Sequence, residues 1–269
     1  MEWKRNLFLI SGISIVLFMI VLSILADFIA PFDYDEVAGP PLSPPNPVNL
    51  MGTDNLGYDV WSRIVYGSRS VLFVVFSSII LSAVVGIPFG LLSGYVGGKL
   101  DKVFSFIMDS IYAFPSLVLA IALAVVLGPS PVNAAIAIAI VYVPTYFRMV
   151  RGQVLSVKTE PFIEVNRALG LPLSSILFKH ILPHLGPTIM VVFSLSSTDA
   201  VLTEAALSFL GLSVQPPMPD WGYELYKGKG FLLSGAWWMV FFPGMMITLL
   251  AMGFALMSEG LSKGEKEVI

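Results

Sequence analysis

Long apolar runs separated by short polar breaks dominate this chain, and six of them are long enough to cross a bilayer. A lipid-exposed span needs about 20 apolar residues in helical form, because hydrocarbon offers the backbone no hydrogen-bond partner. Residues 7–29, 71–95, 104–127, 133–149, 187–210 and 236–257 meet that requirement. The pattern predicts an all-α polytopic membrane protein with six transmembrane helices. One polar stretch, 151–187, is far more chain than a corner between two spans requires. Its local signals predict two short helices. Thr159 can cap the first and Pro161 can open it. Phe162, Val165 and Leu169 line one face, Glu160, Glu164 and Arg167 lie on others, and Gly170 with Pro172 stops it. The second is expected over 173–182, with Ile176, Leu177 and Ile181 on its apolar side and Pro183 and Pro187 ending it.

The longest other breaks have a different texture. Residues 31–47 are rich in proline, which forbids regular helix. Turns at Gly52 and Gly57 follow, with Asp54 and Asp59 placed to cap them. Residues 211–236 hold Trp221, Tyr223, Leu225, Tyr226, Phe231, Leu232 and Leu233, too apolar for a solvated connector. A re-entrant outer loop is expected, dipping toward the membrane or covering the outer mouth, with Trp237 and Trp238 in an aromatic belt.

Two spans carry further signals. Gly86, Gly90 and Gly94 form a smooth stripe suited to close helix packing, within the chain or, alternatively, against a second subunit. The fifth span contains Asp199 and Glu204 with Thr203 between them. Acids inside a span avoid lipid and face protein or a watery path. Structural hydrogen bonding is the simpler reading and cation coupling the alternative; Asp109 in the third span is read as structural too.

Composition agrees with the pattern. The 269 residues are 56% apolar and 12% charged, where a soluble domain is about a quarter charged. Cysteine is absent, which excludes disulfide and thiolate chemistry. The basic residues orient the spans by the positive-inside rule. Lys4, Arg5, Lys99, Lys102, Arg148, Arg151, Lys158, Arg167, Lys179, Lys263 and Lys266 fall on one side, and Arg63, Arg69, Lys227 and Lys229 on the other. Both termini and 151–187 are therefore expected in the cytoplasm. The resulting layout is an anchor span at 1–30, an extracytoplasmic loop at 31–69, a transmembrane core at 70–260 and a cytoplasmic tail at 261–269.

Catalytic chemistry is missing. The nearest approach to a phosphate-cradling loop ends at Gly98-Lys99, with Ser93 where its first glycine belongs and Leu100 where a Ser or Thr would hold magnesium. His180 and His184 share a helical face, but no third ligand is evident, so no metal site is expected. No serine sits in a nucleophile motif. The chain is not expected to be an enzyme.

The run Glu164-Val165-Asn166-Arg167-Ala168-Leu169-Gly170, followed by Ile181-Leu182-Pro183, resembles the E-A-A…G…I-L-P cytoplasmic loop of ABC importer permeases. M-G-T-D-N-L-G-Y-D-V-W-S-R-I-V-Y-G at 51–67, A-A-L-S-F-L-G-L-S-V-Q-P-P-M-P-D-W-G at 205–222 and W-W-M-V-F-F-P-G at 237–244 are similar to the dipeptide/oligopeptide/nickel class, specifically its C-type permease. The resemblance implies a type I importer fold in the cell membrane. It also implies a coupling helix at 162–170, seated in a cleft of a separate ATPase. Further implied partners are a paralogous second permease, two ATPase subunits carrying ATP and Mg, and an extracytoplasmic solute-binding protein; nucleic acid has no part. Val165 and Asn166 depart from the motif's small alanines, and Tyr58 stands where the family's G-R-D motif has arginine. On this reading Asp199, Thr203 and Glu204 are candidates for the translocation path, and Asp54, Asp59 and Trp221 for the outer face. A secondary transporter using Asp199 and Glu204 is the competing class. It predicts an inverted repeat, which the sequence does not show, and leaves 151–187 without a purpose.

Overall fold

The computed structural model describes residues 2–265. The side chains of Lys4, Arg5 and Lys263 and residues 266–269 of the expected tail lie outside the described residues, while 261–265 of that tail continue the last helix. Helices account for the architecture: α1 (Glu2–Ile24), α2 (Ala26–Ile29), α3 (Val60–Val96), α4 (Gly98–Tyr112), α5 (Ser116–Leu127), α6 (Pro131–Val157), α7 (Pro161–Ala168), α8 (Leu173–Ser175), α9 (Leu182–His184), α10 (Gly186–Phe209), α11 (Trp221–Lys229) and α12 (Trp238–Glu265). Among the described residues, five are long and apolar enough to cross a membrane: α1, α3, α6, α10 and α12. They become six if the bent pair α4–α5 counts as one span.

That pair corrects the unbroken third span expected over 104–127. The chain turns by 90° between α4 and α5. Pro115, which has no N–H, occupies the N-cap of α5. At 12 residues, α5 is too short to span hydrocarbon alone.

The second span also starts earlier than its apolar pattern predicts, at Val60 rather than Val71. Asp59 caps it by accepting from the Ser62 backbone N–H, and the charges of Arg63 and Arg69 inside the helix are answered from elsewhere. α3 continues through Pro88, and Gly97 at φ 69° closes it.

Close backbone approach sets the packing. α3 lies along α6, and a Cβ at Gly86 would stand 2.7 Å from Tyr146 Cβ; at Gly90, 2.8 Å from the Phe147 carbonyl oxygen; at Gly94, 2.9 Å from that of Arg151. The stripe thus serves packing within the chain. α1 and α12 pair in the same way through Gly12, Gly253 and Gly260, a match between chain ends that the sequence reading did not draw. α10 packs against α12, α3 and α11, and a large apolar core runs through these helices.

Candidate functional site

The polar stretch after α6 folds as a short helix, a turn and a helical return. Pro161 stands at the first turn of α7, as expected, but Thr159 is not its cap. Glu160 holds that position without a side-chain cap bond, and the Thr159 hydroxyl donates to the Ser156 carbonyl at 2.8 Å. Gly170 adopts φ +72°, the left-handed conformation that ends helices. The return helix does not stop at Pro183. It passes through a wide π-type turn at Ile176–Ile181 into α9 and, across Leu185, into α10. Pro183 and Pro187 stand in the first turns of α9 and α10, where a missing N–H costs nothing.

α7 sorts its side chains sharply. Ile163 is fully buried in an apolar cluster with Leu91, Val150, Val154, Val157, Ile176, Leu177, Ile181 and Leu185. Phe162, Val165 and Leu169 point the other way, at 40%, 56% and 74% exposure. Glu164, Arg167, Ala168 and Gly170 are exposed as well, and Asn166 is half-buried. Ile181 therefore supports α7 from behind, Leu182 is half-buried, and Pro183 is exposed. Two polar ties reach α3: Arg167 Nε donates to Tyr95 Oη at 2.8 Å, with its guanidinium 4.8 Å from that ring, and Lys158 Nζ donates to the Gly94 carbonyl at 2.9 Å. Sequence reading missed Ile163, Tyr95 and Lys158. A second apolar position beside Phe162 was the available signal for Ile163.

Within the bundle, Asp199 and Glu204 occupy unrelated environments. Asp199 is exposed and borders a cleft of about 270 Å³ formed by α4, α5, α6 and α10. Thr203 lies beside it, donating to the Asp199 carbonyl at 2.9 Å and standing 3.3 Å from Tyr142 Oη. Glu204 is fully buried and faces away, toward Ser213 and Asp220. Glu204 Oε2 and Asp220 Oδ2 are both buried and have no hydrogen-bond partner among the described residues.

The opposite end from α7 holds Asp54, Asp59 and Trp221, all buried rather than presented to solvent. Asp54 accepts from the backbone N–H groups of Leu56 and Tyr58 at 2.8 and 3.0 Å, and from Lys227 Nζ at 2.9 Å. Asp59 accepts from Asn49 Nδ2 at 3.0 Å, and Trp221 Nε1 donates to the Ile64 carbonyl at 2.9 Å. Arg63 Nε donates to Glu224 Oε1 at 2.7 Å, and its Nη1 to the Tyr34 carbonyl at 2.6 Å. Tyr58, at the position where the resembled motif has arginine, lies under that guanidinium, 5.4 Å from ring centroid to Arg63 Cζ. Trp238 is buried and donates to the Thr53 carbonyl, so only Trp237 of the expected aromatic belt is exposed. α11 packs onto α10, α12 and α3, as its apolar composition required.

A membrane bundle with a small amphipathic helix held outside it, apolar face outward, defines a membrane subunit built to engage something beyond the bundle. Comparison with known proteins makes this specific: the chain belongs to the family of binding-protein-dependent transport system inner membrane components, whose model matches residues 86–264. A dipeptide transport system permease protein of Alkalihalophilus pseudofirmus is 41% identical over 261 residues, covering 97% of this chain and 86% of that protein. The corresponding Haemophilus influenzae protein is 36% identical, covering 96% and 90%. A glutathione transport system permease protein of Pectobacterium atrosepticum is 36% identical, covering 91% and 82%.

Proposed function

We propose that this chain forms half of the pore of an ATP-driven importer for small peptides, in a bacterial-type cell membrane with both termini in the cytoplasm. The peptide class comes from the dipeptide and glutathione permeases it is similar to. A paralogous permease completes the pore, two ATPase subunits carry ATP and Mg, and a solute-binding protein delivers substrate at the α11 end. The basic residues that flank α7 support its cytoplasmic side.

One observation carries the coupling claim. α7 turns Phe162, Val165 and Leu169 outward while Ile163 pegs it to the ends of α3 and α6. An ATPase that grips the outward face moves the helix ends through the peg. Its closure then favours one arrangement of the spans over the other by differential binding. Asp199 and Thr203 are assigned to the path, with Glu204 acting in the packing behind it.

Leu169→Asp tests this directly, since the side chain is 74% exposed and touches little of its own chain. The full complex in proteoliposomes should lose ATP-driven peptide uptake while the chain still inserts. Gly170→Val should act in the same direction, because the residue sits at φ +72° in otherwise open space and a β-branched side chain resists that conformation by about 1–2 kcal/mol. Uptake at the unmodified level in both variants would overturn the coupling role.

A further inference from the structure

Four arginines along the helices are each answered by an acid. Arg69 pairs with Asp27, Arg148 with Asp109, Arg151 with Asp101, and Arg63 with Glu224. Asp199 differs from these: among the described residues its carboxylate is given neither a cation nor a hydrogen-bond donor, and it opens on the cleft between α4, α5, α6 and α10.

The hydrogen bonding around it fixes what the cleft can accept. A hydroxyl carries one hydrogen, and that of Thr203 goes to the Asp199 carbonyl. In the contact between Tyr142 Oη and Thr203 Oγ1, Tyr142 is therefore the donor. Its hydrogen is spent on the wall, and only lone pairs remain for the cavity. The Asp199 carboxylate likewise only accepts. Ser116 and Thr145 on the same wall can do either, and Phe114 adds an aromatic surface. Arg148, over the Tyr112 ring at 3.9 Å, is committed to Asp109 at 2.6 Å. The cleft thus offers a negative charge and surplus acceptors, and fits a compact cation with several N–H donors.

We propose that Asp199, with Tyr142, forms a subsite for the α-ammonium group of the peptide as it crosses the bundle. The proposal rests on the reading of this chain as a subunit of a peptide path. A primary ammonium carries three donors on one atom, which matches a carboxylate and a phenolic oxygen converging on a small cleft. All four walls belong to this chain, so the group enters from the open side.

The test uses the complete transporter in proteoliposomes, with alanyl-alanine supplied at saturating loaded binding protein. Asp199→Asn should lower uptake about tenfold or more, the usual size of a lost charge-assisted contact, and Asp199→Glu should retain more of it. Free α-amino groups lose their proton near pH 8, so the ratio of unmodified to Asp199→Asn uptake should fall between about pH 7 and pH 9. The binding protein is common to both arms and drops out of that ratio. Equal uptake by Asp199→Asn, or a ratio that stays flat with pH, overturns the subsite. So does failure of Asp199→Asn to co-purify with the second permease, which would assign the carboxylate to a subunit contact. An unmodified complex that takes up no peptide sinks the functional reading, and the subsite with it.

Discussion

At the α11 end, buried Arg63, Glu224 and Asp54 and half-buried Lys227 form a run of opposite charges, with Lys227 Nζ 2.9 Å from both Asp54 Oδ2 and Glu224 Oε2. At the α7 end, one buried isoleucine, the Arg167 bond to Tyr95 and a ring contact of Phe162 with His184 hold a helix whose other face is largely exposed. The first arrangement is hard to disturb by degrees, since separating a buried pair strands a charge. The second has shallow attachments and can shift as a unit. A part that receives force from outside needs the second kind; a part that holds its shape needs the first.

The largest test of this contrast is Arg63→Ala. It leaves Glu224 Oε1 and the Tyr34 carbonyl without their donor in an enclosed site, with Glu224 keeping only Lys227 on its other oxygen, and should cost about 3 kcal/mol, read from denaturant unfolding of the purified chain in detergent. A cost under about 1 kcal/mol would mean that the run of charges is wetter than the packing shows.

Next is Ile163→Ala, with a local cost of about 2 kcal/mol or more for the emptied site. Amide exchange over 161–170 should quicken and ATP-driven uptake should fall, while the α11 end keeps its protection. Unchanged exchange at α7 would show that Ile163 is not the peg.

The smallest effect concerns pH. Burial pushes the Asp220 carboxyl above its ordinary value of 3.8, against the pull of the Gly222 and Tyr223 backbone N–H groups. A carboxyl raised by folding contributes stability that is complete below the ordinary carboxylate range and is lost as pH rises through the folded value. The α11 end should therefore loosen from about pH 4 upward. Asp220→Asn keeps the acceptor for Gly222 N–H, offers a donor to Glu204, and should flatten that slope. A thermal-unfolding series across pH that shows the same slope in both proteins would remove the part given to Asp220.

Much of this architecture is written in local pattern. Span positions follow from apolar length, the α7 turn from Pro161, Gly170 and Pro172, and the α3–α6 contact from a four-residue glycine spacing. What stayed hidden depends on distant residues. Arg63 and Arg69 read as loop charges because their partners, Glu224 and Asp27, are far away in sequence, so α3 appeared to start late. Glu204 resembled a path residue until Asp220, in the following loop, enclosed it. The turn at Pro115 and the π-type turn at 176–181 left no mark on the apolar count.

The Gly12, Gly253 and Gly260 contacts join α1 to α12, the first and last of the described helices. During synthesis α1 leaves the ribosome long before α12 exists, and α2 to α11 must all be made before its partner surface arrives. Because α1 carries many exposed apolar side chains, it can wait in lipid without an unsatisfied group. Closure of the bundle is then a late event of biogenesis, and a ribosome that stalls before α12 leaves the first helix inserted but unmated.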